Sequence, residues 1–302
     1  MNPLTGIGLH WDPTGHIGLS GPLLALADDC DLAFRLLAGR WRATEERYPA
    51  ALPATALVDH LRSFPHQVTF PVALDSAEAN LAEFADGPIL DPVGQVRLTR
   101  TAPVDSVLTP AACYHVYAGH RGQRLPAALH LTTRNTCFRR EAGYQPLRRQ
   151  RSFSMREIVC LGTACETAAF LETARDMTHR FAQLIDLPLD WLPATDPFYR
   201  PHSDPGYLMQ RIEPVKHEAT YGGSLALASA NLHHDHFGAA FGITRDGAHA
   251  GSACLAFGIE RWLYAITDRH GPEPATWPDI TAAAATAASA SASPASSAAV
   301  TP

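Results

Sequence analysis

The chain of 302 residues has little charge, no basic excess and no closely paired cysteines. Charged residues make up 18% of it and hydrophobic residues 46%, which is typical of a folded chain with a substantial core. The net charge of −6 argues against a general nucleic-acid-binding protein, because such proteins usually carry a basic excess. A local basic pocket remains compatible with this balance.

None of the six cysteines forms a Cys-x-x-Cys pair, and a chain of this length does not need a disulfide scaffold. We therefore expect reduced cysteines. The N-terminus lacks the basic and apolar segments of a signal peptide, and no apolar run approaches the roughly 18 residues that span a bilayer. Together these absences predict a cytoplasmic protein without a membrane segment.

The composition divides the chain into a body and a tail. Residues 281–302 contain only Ala, Ser, Thr, Pro and Val, so they offer no large side chains to bury. We predict that they form a disordered tail, dispensable for activity. Residues 1–280 then form one domain, in which residues 1–100 are the N-terminal support portion.

Residues 23–41 and 53–61 of that portion have helical patterns, and prolines predict an extended segment over residues 64–72. Further on, Thr163 and Glu166 have the spacing of a capping box before a long helix. Residues 222–243 read as strand, loop and turn. Residues 254–257 read as a strand, and Gly258 opens a helix that ends near His270 with Gly271 as its cap.

The most informative segment is a predicted pair of antiparallel strands, residues 127–141 and 148–163. Two-residue alternation places Arg139 and Glu141 on one face of the first strand. On the second strand it places on one face Arg149, Arg151, Phe153, Met155 and Glu157. That face is basic, then aromatic, then acidic, which favours a binding surface over a solvated one.

Two motifs in this part of the chain have known counterparts. Phe138, Arg139 and Glu141, followed after a loop by Arg149 and Phe153, resemble motif 2 of the class II aminoacyl-tRNA synthetases. The sequence FGIERW (257–262), with Gly258 and Arg261, resembles their motif 3. The resemblance implies an α+β fold with an antiparallel β-sheet flanked by helices, the class II catalytic domain.

That resemblance also implies adenylation, in which catalysis consists of positioning ATP and stabilising charge on its phosphates. Arginine suits this task because its planar fork is permanently charged. By resemblance, Arg139 would hold the α-phosphate, while Arg149 and Arg261 would hold the γ-phosphate. Phe153 would stack on the adenine, and Glu141 would accept a hydrogen bond from its amino group.

Cys113, Glu157 and Cys254 form a possible metal-ligand set. They resemble the zinc site of the atypical, methanogen-type seryl-tRNA synthetases and of their truncated bacterial relatives, the amino acid:[carrier protein] ligases. Three protein ligands leave a fourth position open, here for the amino group of the substrate. The alternative is two ordinary buried cysteines and an unrelated glutamate.

The same resemblance assigns further positions. Ala112 lies where seryl-tRNA synthetases carry part of the amino-acid-binding loop. Asn231 would lie near the substrate carboxyl, and Glu218 would bind ATP and Mg²⁺. The sequence SFP (63–65) matches a degenerate motif 1, where dimer contacts would lie. The histidine-rich sequence HHDH (233–236) is predicted to be a loop lining the pocket, because adjacent residues seldom converge on one ion.

The chain before motif 2 has neither a long helical hairpin nor a basic stripe, so we expect no tRNA partner. The resemblance implies another acceptor, the phosphopantetheine thiol of a small acyl carrier protein, and a small amino acid such as glycine or alanine. It also implies zinc, Mg²⁺ with ATP, and a homodimer. Arg140 and Arg148, on the opposite strand parity, are assigned to solvent or to the carrier protein.

Two other hypotheses stay open at this stage. One is a synthetase-like enzyme that gives the aminoacyl group to a different acceptor. The other is a non-catalytic paralogue, which the intact phosphate-binding set disfavours.

Overall fold

The computed structural model describes residues 3–203 and 214–290. Its strands are β1 (Leu9–Asp12), β2 (His16–Leu19), β3 (Thr44–Glu46), β4 (Ala51–Pro53), β5 (Ser106–Leu108), β6 (Arg124–Leu125), β7 (Leu129–Phe138), β8 (Ser152–Gly162), β9 (Asp190–Ala194), β10 (Lys216–Tyr221), β11 (Leu225–Leu232), β12 (Thr244–Arg245), β13 (Ala248–His249) and β14 (Gly251–Gly258). Its α-helices are α1 (Gly21–Ala38), α2 (Val58–Ser63), α3 (Glu78–Asp86), α4 (Cys113–Gly119), α5 (Ala164–Leu184), α6 (His236–Phe241), α7 (Ile259–His270) and α8 (Ile280–Ser289). Short 3₁₀ helices lie at Pro3–Ile7, Gly39–Trp41, Ala54–Ala56, Pro201–Ser203 and Pro274–Thr276.

A seven-stranded sheet in the order β3-β7-β8-β14-β11-β10-β9 organises the molecule. The predicted pairing of β7 with β8 is confirmed, with a register that runs from Leu129 opposite Leu161 to Phe138 opposite Ser152. All neighbouring strands of this sheet are antiparallel except β3, which pairs in parallel with β7 at one edge. The α+β fold with a helix-flanked antiparallel sheet is confirmed.

One face of the sheet packs against the helices α1, α5, α7 and α8. Aromatic side chains fill this layer: the Phe34 ring stacks on Phe257 with centroids 4.1 Å apart, and Trp262 contacts both. The Trp262 indole N–H donates to the carbonyl of Leu227 at 2.9 Å, so its polar atom is satisfied although the side chain is fully buried. This packing leaves the opposite face of the central strands available for a site.

A buried ion network ties helix α1 and strand β3 to the centre of the sheet. The guanidinium of Arg156, on β8, donates to both carboxylate oxygens of Asp31 at 2.9 and 2.8 Å. It also donates to Glu45 at 3.2 Å. Arg156 is 1% exposed, so its charge depends on these two partners for compensation. The network fixes the parallel edge strand to the layer that carries α1.

Several sequence predictions agree with the structure. Helix α1 overlaps most of the predicted segment 23–41, whereas α2 overlaps only the end of the segment 53–61, which begins with the last residue of β4 and a 3₁₀ helix. Both halves of the capping box at Thr163 and Glu166 are present. Helix α7 ends with Gly271 as its cap, at φ 88°. The short helix α6 was not predicted, because glycine and adjacent histidines masked its pattern. Over the described residues, no helix combines the length and apolar character required to cross a membrane.

The prediction of a disordered tail from residue 281 is wrong over its first part, while residues 291–302 lie outside the described residues. Residues Ile280–Ser289 form helix α8, whose Asp279 cap accepts from the Ala282 N–H at 2.9 Å. Alanine has the highest helix propensity, and its small side chain lets two helices approach closely. Ile280, Ala283, Ala284 and Ala287 are buried against α1 and α5 in the main core, although residues 281–289 carry no large side chain.

Substituting Ala284 with glutamate should therefore destabilise the whole domain, because it places a charge in the core without a partner. We expect the free energy of unfolding to fall by roughly 3 kcal/mol or more, measured by urea denaturation. Ala285→Glu is the matched control, since Ala285 is exposed on the same helix and should change stability little. Equal effects of the two substitutions would contradict the burial of α8.

Candidate functional site

The sheet face turned away from the helix layer carries the polar residues that the sequence singled out. Backbone register aligns Lys216 with Asn231, and Asn231 with Cys254, across β10, β11 and β14. Glu218 on β10 and Glu157 on β8 are aligned in the same way across β11 and β14, and they lie on the same face of the sheet. Antiparallel pairing points directly opposed residues to one side, so these side chains converge although they come from four strands.

Two adjoining cavities lie over this face. The larger has a volume of about 770 Å³ and contains the side chains of Cys113, Glu157 and Cys254 in its wall. The smaller, about 100 Å³, is bounded by Arg139, Arg149 and Arg261. Both are lined by Arg139, Met155, Lys216, Ser229 and Ala256. The two cavities therefore meet at these five residues, so that one ligand could contact both the cysteine side and the arginine side.

The structure brings the three proposed metal ligands together. The ligand atoms of Cys113, Glu157 and Cys254 all lie within 4.8 Å of one another, and all three residues are buried. A Glu157 oxygen accepts from the Cys113 backbone N–H at 3.1 Å, and the Asn231 amide donates to the Cys254 sulfur at 3.3 Å. These contacts fix the first turn of α4 and two strands around one point, which suits a shared ion.

The electrostatics of this cluster favour a cation. The hydrogen bond with Cys254, burial and the Glu157 charge together raise the pKa of Cys113 well above its usual value. The pKa of Cys254 is also raised above its usual value. The hydrogen bond between Cys254 and Cys113 acts to lower this pKa, but burial and the Glu157 charge outweigh that hydrogen bond. Metal coordination reverses this by stabilising the thiolates. Two cysteine sulfurs and a carboxylate match the ligand preferences of Zn²⁺.

On the arginine side, four arginines line the smaller cavity: Arg148 and the three that the motifs singled out, Arg139, Arg149 and Arg261. Arg139 donates through Nε to the Pro110 carbonyl at 3.1 Å, and its guanidinium lies 5.2 Å from the centre of the Phe153 ring. Arg149 is half-exposed and lies 3.6 Å from the Glu141 carboxylate. Glu218 lines the same cavity. These side chains are placed where polyphosphate and a base could be held, and their individual roles remain predictions.

Arg261 is held more rigidly than Arg139 and Arg149. Its Nε donates to the Arg148 carbonyl at 3.1 Å, and Nη1 donates to the Ala226 carbonyl at 2.9 Å. Burial, together with the charge of Arg139, lowers its pKa from the usual value. Because arginine stays protonated in proteins, Arg261 is a fixed buried cation. Such a group can stabilise phosphate charge without reorganising.

Sequence reasoning missed Glu260, the neighbour of Arg261. Its carboxylate accepts from the Ser154 backbone N–H at 2.8 and 2.9 Å, and burial raises its pKa. This contact joins the start of α7 to β8 and so positions Arg261 relative to Phe153. The signal was available in FGIERW, where an acidic residue stands in the first turn of a helix next to an arginine.

The predicted placement of two motif 2 arginines is wrong. Arg151 does not share the Phe153 face: its Nε donates to the Thr14 carbonyl at 2.6 Å, and its guanidinium stacks on Tyr144. Arg148, assigned to solvent or a partner, instead lines the smaller cavity and lies over the Tyr264 ring. Strand β8 begins only at Ser152, so strand alternation does not apply to the residues before it. Arg140 is exposed, as expected.

Other predicted positions have mixed outcomes. Ala112 is fully buried, and the cavity wall beside it is formed by Ala111 and Cys113, so direct contact with an amino acid is not supported. Asn231 does line the large cavity. Phe64, in the SFP sequence assigned to dimer contacts, also lines that cavity and packs on Phe198. Phe64 directly follows helix α2, and this position places its side chain over the site.

The histidine-rich sequence contributes to the cavity wall, as predicted. His233, His234 and His236 all line the large cavity. His233 is partly buried, with Nε2 4.0 Å from the Cys254 sulfur and Nδ1 3.3 Å from the Tyr117 hydroxyl. These contacts place His233 beside the cluster. Over the residues that the structure describes, the metal-ligand grouping comprises Cys113, Glu157 and Cys254, without a histidine.

Comparison with solved structures defines the fold as that of the class II aminoacyl-tRNA synthetases. M. kandleri SerRS, in its complex with A. aeolicus tRNASec, matches with a TM-score of 0.76 at 18% identity, over 94% of this chain and 60% of that chain. Seryl-tRNA synthetase from Pyrococcus horikoshii complexed with ATP matches with a TM-score of 0.62 at 14% identity, over 88% and 57%. The fold expected from motifs 2 and 3 is therefore confirmed.

Sequence comparison finds two kinds of curated relative. Amino acid--[acyl-carrier-protein] ligases 1 and 2 of Bradyrhizobium diazoefficiens are 34% and 36% identical over 188 and 185 residues, or 60% and 59% of this chain. Type-2 serine--tRNA ligase of Methanopyrus kandleri is 28% identical over 192 residues, which is 57% of this chain and 36% of that protein. No protein-family model matches.

The matched regions span 57% and 55% of the length of the two ligases. The chain is thus similar to the amino acid:[carrier protein] ligases and to the methanogen-type seryl-tRNA synthetases, which confirms the resemblance read from its motifs.

His60 provides a test of the electrostatics of the large cavity, which it lines. Its Nδ1 lies 2.8 Å from the Tyr114 hydroxyl, and burial with the nearby charge of Arg139 lowers its pKa to about 4. Between this value and the ordinary 6.5, the unfolded chain binds a proton that the folded chain does not. Stability should therefore fall as pH drops from 6.5 toward 4, at up to about 1.4 kcal/mol per pH unit.

Urea denaturation across that pH range measures the slope, and His60→Gln should reduce it. His249→Gln is the control, since His249 is exposed on β13. A slope unchanged by His60→Gln would show that His60 stays accessible to protons in the folded state.

Proposed function

We infer that this protein is an ATP-dependent amino acid--[acyl-carrier-protein] ligase. It activates a small amino acid, glycine or alanine, to the aminoacyl-adenylate and transfers it to the phosphopantetheine thiol of a carrier protein. The observation that carries this proposal is the junction of the two cavities. A set of metal-ligating side chains occupies one, and the motif 2 and motif 3 arginines border the other.

The proposed reaction has two steps. A carboxylate oxygen of the amino acid attacks the α-phosphorus of ATP, the bond to the bridging oxygen breaks, and pyrophosphate leaves. The thiol sulfur then attacks the carbonyl carbon of the adenylate, AMP leaves, and the thiol proton passes to solvent. Neither step needs an oxidant or a covalent enzyme intermediate, so the protein acts by positioning and by charge stabilisation.

The nucleotide would bind in the smaller cavity. Arg139 would contact the α-phosphate there, with Arg149 and Arg261 on the γ-phosphate. Phe153 would stack on the adenine, and Glu141 would accept from its amino group. Glu218 would bind Mg²⁺ that accompanies ATP. The rigid hold on Arg261 supports its assignment, because a fixed cation contributes more to catalysis than one that must reorient.

The amino acid would bind in the larger cavity, with Zn²⁺ held by Cys113, Glu157 and Cys254. Zinc at this site would supply a Lewis-acidic position for the substrate amino group, which would select an amino acid over a plain carboxylic acid. Asn231, which already donates to the Cys254 sulfur, would fix that ligand and border the substrate carboxyl.

The similarity to the two acyl-carrier-protein ligases of Bradyrhizobium diazoefficiens supports the carrier protein as acceptor, in place of tRNA. We place the contacts of a homodimer within residues 1–100, where large apolar side chains are exposed: Leu24, Leu32, Phe70, Val72, Leu81, Leu90, Val93, Val96 and Leu98. The six unpaired cysteines suit a reducing cytoplasm.

The first step predicts amino-acid-dependent exchange of pyrophosphate into ATP without tRNA. Screening the twenty amino acids should give the highest exchange with glycine or alanine. Arg139→Ala should lower the rate about a hundredfold or more, since it removes a charged donor from the transition state. Arg140→Ala is the matched control, because Arg140 is the exposed neighbour and should leave exchange unchanged.

The acceptor is tested separately, by transfer of radiolabelled amino acid to a phosphopantetheinylated carrier protein. No exchange with any amino acid would refute adenylation. Exchange without transfer to the carrier would instead favour a different acceptor.

The metal assignment predicts one zinc per chain in purified protein, measured by elemental analysis. Cys113→Ala should lose both the metal and amino-acid activation, because two remaining ligands hold zinc weakly. Cys160→Ala is the control: Cys160 is equally buried, on β8, but belongs to the helix-side core. Zinc retained at full occupancy in Cys113→Ala would disprove the assigned ligand set.

A further inference from the structure

Lys216 occupies the junction of the two cavities, and no motif in the sequence marked it. It is one of the residues that line both cavities, and its side chain is only 16% exposed. Among the described residues that border both cavities, Lys216 and Arg139 are the cations. Arg139 approaches the junction from the end of β7, and Lys216 approaches it from β10, on the other side of the sheet face.

The charge on Lys216 is held in place by two carboxylates. Its ammonium nitrogen lies 2.9 Å from Asp196 and 3.3 Å from Glu218. Burial alone would lower its pKa, but these two carboxylates outweigh burial and raise it. An ammonium group has three N–H donors, so two carboxylate partners leave one donor for a further acceptor. Lys216 is therefore a permanent cation with remaining hydrogen-bonding capacity.

The sheet register gives Lys216 a direction. It pairs with Asn231 on β11, and Asn231 pairs with Cys254 on β14, so all three point to one face. Two strand spacings separate the Lys216 and Cys254 backbones by about 10 Å, a gap that the lysine side chain partly crosses. An amino acid whose amino group is at the Cys113, Glu157 and Cys254 cluster would present its carboxylate within this gap.

We propose that the Lys216 ammonium contacts the substrate carboxylate and orients one of its oxygens toward the α-phosphate of ATP. This inference rests on the proposed function. Lys216 thus acts on the amino-acid side, and Arg139 acts on the nucleotide side of the same junction. Asp196 and Glu218 keep the ammonium from moving onto the polyphosphate.

The test compares amino acids with amino alcohols that lack the carboxylate. Glycine is paired with ethanolamine and alanine with alaninol, each alcohol being measured as a competitive inhibitor of pyrophosphate exchange. The Lys216→Met variant should reduce the preference for amino acid over amino alcohol about tenfold to a hundredfold, the range expected for one hydrogen bond to a charged group. Its affinity for the amino alcohol should be unchanged. Lys216→Arg, which keeps the charge, should retain most of the preference.

Asp196→Asn provides the control for an indirect effect, since it removes a carboxylate partner of Lys216 and leaves the cation. It should keep the preference for the carboxylate. For variants too slow for exchange, the thermal shift of zinc-loaded protein with each ligand gives the same comparison. Lys216→Gln replaces Lys216→Met if the latter does not fold.

Two results would overturn the inference. Equal weakening of amino acid and amino alcohol would assign Lys216 a structural role, and a rise confined to the KM for ATP would assign it to the nucleotide. Either result can be observed only if the wild-type protein catalyses pyrophosphate exchange. Absence of exchange in the wild type would count against the proposed function instead.

Discussion

The alternation of side chains across β8, β14 and β11 is the constraint on which the rest of the structure depends. Residues Phe257 and Ile158 face the helix layer and bury apolar surface, which stabilises the sheet. Glu157, one position from Ile158, and Cys254, three positions from Phe257, have the opposite strand parity and therefore face the other side. A register shift of one residue would exchange these sets, placing a carboxylate in the core and aromatic rings in the cavity. The stability of the core and the geometry of the site are therefore fixed by one register.

The buried pair of Arg156 and Asp31 adds specificity to this register. Arg156 lies between Met155 and Glu157 on β8, so its side chain belongs to the helix face of the sheet. An unpaired guanidinium at that depth is strongly destabilising, and Asp31 lies on α1. Alternative registers of β8 would lose this pairing as well as apolar contacts. Discrimination against wrong registers, more than net stability, is the contribution expected of such a pair.

Much of the fold could be predicted from sequence because strand pairing and helix capping are local signals. The Thr163 and Gly271 caps depend on neighbours within a few residues, and β7 and β8 are consecutive strands joined by one loop. The parts that failed depend on tertiary context. Burial of Ala284 requires knowledge that α1 and α5 leave a gap that fits an alanine. The direction of Arg151 depends on where β8 begins, which residue type does not determine.

The candidate site shows the same division. Cys113, Glu157 and Cys254 could be grouped from their relation to recognisable motifs, although they are far apart in sequence. Lys216, Glu260 and His60 could not, because their positions follow from strand register, a helix start and the path of the N-terminal third. Single lysines and histidines carry no spacing that would distinguish a cavity wall from a surface.

The junction between the two cavities affects how tightly a ligand can bind. Small residues, Ser229 and Ala256, line this passage beside Arg139 and Lys216. A ligand that fills one cavity loses its translational freedom on binding and makes only the contacts of that cavity. A ligand that occupies both cavities loses that freedom once and makes the contacts of both, so its second half binds at a high effective concentration. Compounds that join an adenosine to an amine through an uncleavable linker match this arrangement, with the linker lying beside the residues that both cavities share.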